Sequence, residues 1–105
     1  TIDVGELRSK TNIIGSSRYI TMFWTVVERL TNSQRIKLLQ FSTGAMCIPQ
    51  GDNVLKVDFT NQGSGYLPYA STCFYKLHIP KYNSEEEMYQ KMVIAIENTS
   101  SFENS

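Results

Sequence analysis

One histidine, two cysteines and three prolines are all that the 105 residues contain of these types, and acidic and basic residues balance at ten each. Zero net charge and scattered basic residues, which form no stripe with interleaved aromatic residues, argue against a nucleic-acid groove. No run approaches the roughly 18 apolar residues of a membrane span, and no basic segment with an apolar core marks the N-terminus. We therefore expect a soluble, unexported protein that binds neither nucleic acid nor membranes.

The single histidine, His78, restricts the possible catalytic and metal chemistry. A cysteine protease needs an imidazole base, but on a regular strand Cys73 and His78 point to opposite faces. A tetrahedral zinc site would need carboxylates beside one histidine and two cysteines. Gly63-Ser64-Gly65 precedes no Lys-Ser/Thr pair, so a phosphate loop is not supported. We expect His78 to be a half-exposed strand residue, and we expect no metal and no cofactor.

The two cysteines, Cys47 and Cys73, are too few for a disulfide scaffold and lack Cys-x-x-Cys spacing. We expect both thiols to be reduced, which places the protein in the cytoplasm, the nucleus or both. The length is typical of one domain, and 41% apolar with 11% aromatic residues is a globular composition. We therefore expect one domain with a single modest core.

Two helices are predicted in the first half of the chain. Residues 1–17 sustain no helix or strand period, so we expect a lead-in or linker and not a core element. Thr31 and Gln34 form a capping box for the second helix, which Gly44 would end. The first helix, capped by Ser16 or Ser17, is predicted from apolar residues at spacings of three and four: Ile20, Phe23, Trp24, Val27 and Leu30.

Two strands and a third helix are predicted in the second half. Alternating or β-prone residues predict strands at 54–59 and 74–79, the second closed by Pro80, with loops at 49–53 and 61–65. Ser84 and Glu87 predict a capping box for the helix that follows. The apolar face of that helix is Met88, Met92 and Ile96.

Cys73 lies where turn-like residues give way to strand-like residues. A lone cysteine is often a small buried apolar residue, but Pro68 and Ser71-Thr72 favour exposure. A cysteine thiol is a few per cent thiolate near neutral pH without an activating base. That fraction suffices for exchange with a thioester brought by another protein, since positioning supplies most of the acceleration. The residues alone leave both interpretations of Cys73 open.

Several short motifs, in their order and spacing, resemble the C-terminal lobe of a HECT-type ubiquitin-protein ligase. The resemblance covers residues 18–105, and residues 1–17 resemble the segment that joins this lobe to a larger N-terminal lobe. It implies an α/β fold in which helices pack on a small β-sheet and the catalytic cysteine lies on an exposed loop. The matching motifs are Phe23-Trp24, Leu38 to Gly44, Pro49, Leu67-Pro68, Thr72-Cys73-Phe74, Leu77 to Tyr82 and Phe102.

The resemblance also implies residue roles. Cys73 would take ubiquitin from a charged conjugating enzyme as a thioester and pass it to a substrate lysine. Thr72 and Phe74 would shape the loop around the sulfur, and Phe102, fourth from the last residue, would anchor the tail during transfer. Leu67 would contact donor ubiquitin, with a structural role in the turn as the alternative. The conjugating enzyme would bind the N-terminal lobe, which this chain lacks.

Three departures from the family pattern keep other function classes open. Ser71 stands where the family often has histidine, Cys47 stands where arginine is common, and residues 50–53 replace the usual Gly-Phe. The alternative is a non-catalytic ubiquitin-binding or scaffold module of the same fold. A thiol redox domain is a third class, against which the absence of Cys-x-x-Cys argues.

Overall fold

Four helices and four strands make up the structure, a computed structural model that describes residues 1–98. The α/β prediction is confirmed. No helix within these residues has both the length and the apolar character that a membrane crossing requires. The elements are α1 (Val4–Ser9), β1 (Thr11–Ile14), α2 (Ser17–Arg29), α3 (Asn32–Thr43), β2 (Leu55–Thr60), β3 (Tyr69–Ser71), β4 (Lys76–Pro80) and α4 (Glu85–Glu97).

The four strands form one mixed sheet in the order β1-β2-β4-β3. β1 and β4 each run parallel to β2, whereas β3 runs antiparallel to β4. Side chains alternate between the two faces of a strand, so one face of the sheet is buried and the other, the open face, meets solvent. The buried face carries Leu55, Val57, Leu77 and Ile79, and the open face carries Lys56, Asp58, Lys76 and His78.

The predicted helices cover the buried face of the sheet. α2 buries Phe23 and Trp24, whose rings meet edge to face at 4.9 Å between centroids. α4 buries Met88, Met92 and Ile96, as the sequence predicts. Each such side chain stabilises the fold by roughly 1.5–3 kcal/mol when it is fully removed from water. These side chains and the buried face of the sheet belong to one core.

The predicted ends of α3 are confirmed. The Thr31 side chain accepts a hydrogen bond from the Gln34 N–H at 3.1 Å, and the Gln34 side chain accepts from the Thr31 N–H at 2.9 Å. Gly44 ends the helix with φ of 79°, a left-handed conformation that glycine adopts without steric cost. The capping box and the terminal glycine of α3 could therefore both be predicted from the local sequence.

The caps of α2 and α4 match the prediction only in part. Ser16 occupies the N-cap of α2, but its side chain makes no capping hydrogen bond. Ser84 caps α4 by accepting from the Glu87 N–H at 3.1 Å. The Glu87 carboxylate accepts from the Asn83 N–H instead of the Ser84 N–H, so the expected capping box is incomplete.

The expectation that residues 1–17 form no core element is wrong. They form α1 and β1, and Leu7 is fully buried while Ile2 is 5% exposed. The Asp3 side chain caps α1 by accepting from the Gly5 N–H at 3.0 Å. A helix of six residues and a strand of four are too short to show a sustained apolar period, which is why the sequence pattern misses them.

The predicted strand at 74–79 begins two residues too early. Thr72–Phe74 form a single 3-10 turn, here called the thiol turn, and β4 begins only at Lys76. β3 was not predicted, because three residues give no readable alternation. Residues 45–54, by contrast, connect α3 to β2 without helix or strand, and the predicted loop at 49–53 lies within them.

Candidate active site

The thiol turn connects β3 to β4 and leaves Cys73 exposed. The Tyr75 N–H donates to the Thr72 carbonyl at 3.1 Å and closes the turn. Tyr75 has φ of 56°, a left-handed conformation that costs an ordinary side chain roughly 1–2 kcal/mol. The predicted exposure of Cys73 is confirmed, and a strained backbone residue follows it by two positions.

The sheet fixes both ends of the thiol turn. Ser71, before the turn, is paired with Lys76, after it, in the antiparallel β3–β4 ladder. The Lys56 N–H of β2 donates to the Tyr75 carbonyl at 2.8 Å. The cysteine is therefore carried by a short turn whose flanks are hydrogen-bonded to two strands, so a reacting partner can meet it at a defined place.

An apolar groove with a volume of about 370 Å³ reaches the thiol turn at Thr72. Leu67 lies on the wall of the groove and is 40% exposed. Exposed leucine beside a concave apolar surface is typical of a binding site for an apolar segment. The other lining residues are Phe41, Pro68, Tyr69, Ala70, Ala95 and Asn98.

Tyr82 anchors the loop that carries Leu67. The Tyr82 ring is fully buried, and its hydroxyl donates to the Tyr66 carbonyl next to Leu67. Burial raises the pKa of Tyr82 above its ordinary value, and the negative charge of Glu87 raises it further. The folded chain therefore holds the phenolic proton more tightly than the unfolded chain does.

We expect Tyr82→Phe to lower the free energy of unfolding at pH 7 by about 1–3 kcal/mol, because the Tyr66 carbonyl loses its buried donor. The raised pKa stabilises the wild-type fold fully below about pH 10, where unfolded tyrosine is still protonated. This contribution is lost as the pH rises further, so the gap between the two proteins should narrow. Urea unfolding of both proteins at pH 7 and at pH 11 measures this difference in the free energy of unfolding. A difference that is the same at both pH values would contradict the raised pKa of Tyr82.

His78 lies on the open face of the sheet, beside a carboxylate and a hydroxyl. Its Nδ1 is 2.7 Å from Asp58 Oδ1, and its Nε2 is 3.5 Å from Ser71 Oγ. The Tyr69 ring stacks on the imidazole at 4.6 Å between centroids. The predicted position on a strand is confirmed, but Cys73 lies in the thiol turn, so the alternation of one strand does not separate the two residues. Sequence reasoning missed Asp58 and the contact between Ser71 and His78, because only the strand pairing brings these side chains together.

A sequence model described as HECT-domain (ubiquitin-transferase) matches residues 1–105. The chain belongs to the HECT-domain family. Its relatives include the E3 ubiquitin-protein ligases HECW1 and HECW2 of Homo sapiens, 37% and 36% identical over 115 and 114 residues. Each match covers 96% of this chain but only 7% of the relative. The E3 ubiquitin-protein ligase pub3 of Schizosaccharomyces pombe is 35% identical over an alignment of 116 positions, which covers 98% of this chain and 15% of that protein.

The other residues that the HECT-domain resemblance implicates lie partly beside Cys73 and partly outside the described residues. Thr72 and Phe74 flank Cys73 in the thiol turn, and Phe74 is 67% exposed. Cys47 is also exposed, and neither thiol is in a disulfide. Phe102 lies outside the described residues. Within residues 1–98, no three His, Cys, Asp or Glu side chains come together as a metal-binding group.

Proposed function

We propose that the chain is the catalytic lobe of a ubiquitin-protein transferase, with Cys73 as the nucleophile. The Cys73 thiolate attacks the thioester carbonyl of a charged conjugating enzyme, a C–S bond forms, and the enzyme's own thiol leaves. A substrate lysine amine then displaces Cys73, forming an amide bond and returning the thiol. The exposed position of Cys73 on a turn held by the sheet carries the proposal, together with membership of the HECT-domain family.

The apolar groove is the proposed contact surface for the donor ubiquitin next to its thioester. The groove reaches the thiol turn at Thr72, and Leu67 exposes apolar surface on its wall. A ubiquitin segment bound there would be held beside Cys73, which lowers the entropic cost of the reaction. Thr72 and Phe74 are proposed to shape the turn around the sulfur.

We expect Leu67→Asp to slow the charging of Cys73 with ubiquitin about tenfold or more, because a carboxylate would be desolvated against the donor. Tyr66→Asp is the matched control, since Tyr66 is 57% exposed in the same loop but does not line the groove. Charging rates and urea unfolding of both variants check this. Equal charging rates for Leu67→Asp and Tyr66→Asp would show that Leu67 has only a structural role in the turn.

The remaining parts of the proposal concern the wider protein. The chain spans only 7% of HECW1 and HECW2, so the conjugating enzyme is proposed to bind an N-terminal lobe outside residues 1–105. The boundary between lobe and linker at residues 17 and 18 stays a prediction, as does the anchoring role of Phe102. A cytoplasmic or nuclear location is proposed because Cys73 must be reduced to accept ubiquitin.

The proposed function is tested by charging the 105-residue chain directly. Ubiquitin with its C-terminus activated as a small-molecule thioester supplies the acyl group without an N-terminal lobe. We expect a one-to-one adduct on non-reducing gels that disappears after treatment with dithiothreitol. No adduct, or an adduct that persists after reduction and forms equally on Cys73→Ala, would contradict transfer through a thioester. A charged conjugating enzyme should give the same adduct more slowly, because nothing in the chain is proposed to recruit it.

A further inference from the structure

Three hydrogen-bonding side chains form a line across the open face of the sheet. Asp58 Oδ1 lies 2.7 Å from His78 Nδ1, and His78 Nε2 lies 3.5 Å from Ser71 Oγ. The strand pairing builds this line, because His78 is opposite Asp58 on one side and opposite Tyr69 on the other. Ser71 follows Tyr69 by two positions, so its side chain lies on the same face.

The carboxylate fixes which imidazole nitrogen carries the proton. An ionised carboxylate only accepts hydrogen bonds, so His78 Nδ1–H donates to Asp58. In the neutral ring Nε2 is then an acceptor, aimed at the Ser71 hydroxyl. The 3.5 Å separation is long for a hydrogen bond, but such contacts are often loose before a substrate binds.

The imidazole is held in place by its surroundings. The Tyr69 ring stacks on it at an interplanar angle of 24°, and only 15% of the His78 side chain is exposed. On β1, the open face carries the uncharged side chains of Asn12 and Ile14. The charged or titratable side chains that share the open face with His78 are Lys56 and Asp58 of β2, Tyr69 of β3 and Lys76 of β4.

Ser71 connects this line to the thiol turn. It is the last residue of β3 and immediately precedes Thr72, so its hydroxyl lies two residues before Cys73 in a segment fixed by the sheet. A lysine amine has an ordinary pKa of about 10.4 and is almost entirely protonated at neutral pH. Attack on a thioester therefore benefits from a nearby proton acceptor, and a positioned base typically contributes about 10²- to 10⁴-fold.

We propose that Ser71, His78 and Asp58 form a proton relay for the lysine that attacks the Cys73 thioester. The inference rests on the proposed function. One proton of the lysine ammonium moves to Ser71 Oγ while the hydroxyl proton moves to His78 Nε2, which frees the amine nitrogen to bond to the carbonyl carbon. The C–S bond breaks, its electron pair stays on Cys73 Sγ, and the second nitrogen proton passes to water as the amide forms. Asp58 stabilises the imidazolium, which then returns its proton to the thiolate or to water.

The test separates charging from discharge in the 105-residue chain. Wild type, His78→Asn and Ser71→Ala are charged with ubiquitin thioester, desalted and mixed with free lysine. Loss of the adduct is followed on non-reducing gels from pH 6 to pH 10. Asparagine keeps a donor for Asp58 but cannot accept a proton at neutral pH. Lys76→Gln is the matched control, because Lys76 is on the same strand and face.

We expect all four proteins to charge at similar rates. At pH 7, His78→Asn and Ser71→Ala should discharge at least tenfold more slowly than wild type and Lys76→Gln. The rates should converge near pH 10, where much of the free amine has lost its proton without help. A structural defect would persist at pH 10, so equal slowing at both pH values would overturn the relay.

Three further outcomes decide against the relay. Equal discharge of all four proteins at pH 7 would show that His78 and Ser71 take no part in proton transfer. An adduct on wild type that resists dithiothreitol, is cleaved by mild alkali and does not form on Ser71→Ala would show that Ser71 is acylated and acts as a nucleophile. Absence of any adduct on wild type would instead refute the proposed function, and the relay with it.

Discussion

We expect Cys73→Ala to abolish the transfer of ubiquitin to lysine, and Cys47→Ala to leave it within about twofold of wild type. This is the largest effect that the proposed function predicts, because alanine removes the atom that would hold the acyl group. Without the covalent intermediate, ubiquitin has no route from the donor thioester through this chain. The measurement is ubiquitin-lysine formed per minute by the 105-residue chain with ubiquitin thioester and free lysine.

Cys47→Ala is the matched control for this prediction. Both thiols are exposed and free, so general thiol reactivity would involve Cys47 as much as Cys73. Only Cys73 lies on a turn whose flanks are bound to the sheet, while Cys47 lies in the connection at residues 45–54. Equal losses for the two variants would mean that exposure alone, and not the position of Cys73, determines reactivity.

We expect Leu7→Ala to lower the free energy of unfolding by about 2–5 kcal/mol, the range for removing a buried leucine side chain from a packed core. Leu7 is fully buried and belongs to the same core as the α2 and α4 side chains. Ile14→Ala is the matched control, because Ile14 comes from the same segment but is 67% exposed. Its effect should stay within about 0.5 kcal/mol.

Urea unfolding of both variants measures the difference. If Leu7→Ala were as mild as Ile14→Ala, residues 1–17 would be the dispensable linker that the sequence pattern indicates. A loss of several kcal/mol would instead make the N-terminal segment part of the folding unit, because domains of this size are stabilised by about 5–15 kcal/mol in total. Removing the segment would then unfold the rest of the chain.

The longer elements of the fold could be predicted from sequence because their signals are local. The apolar spacing of α2 and the paired caps of α3 each lie within one helix, and the structure contains both. β1 and β3 could not be predicted, because four and three residues are too few to show a period. Their pairing with β2 and β4 depends on contacts between segments that are distant in sequence.

Part of the candidate site could likewise be predicted from sequence, and part could not. The motifs around Cys73 are contiguous, so the sequence pointed to the thiol, and its exposure is confirmed. The line from Asp58 through His78 to Ser71 is invisible in sequence, because Asp58 and His78 are 20 residues apart and meet only through strand register. His78 thus has two polar partners in the fold, although neither of them is next to it in sequence.

The position of the ubiquitin adduct shows whether Cys73 carries ubiquitin as a thioester. The 105-residue chain is charged with ubiquitin thioester, quenched in acid, digested with pepsin without reductant and analysed by mass spectrometry. We expect the C-terminal glycine of ubiquitin to be joined to the peptide that contains Cys73, and dithiothreitol to release it. This role of Cys73 would be contradicted by an adduct on Cys47, or by an adduct on a lysine that forms without a Cys73 intermediate. It would also be contradicted if the chain stayed unmodified and bound ubiquitin only reversibly.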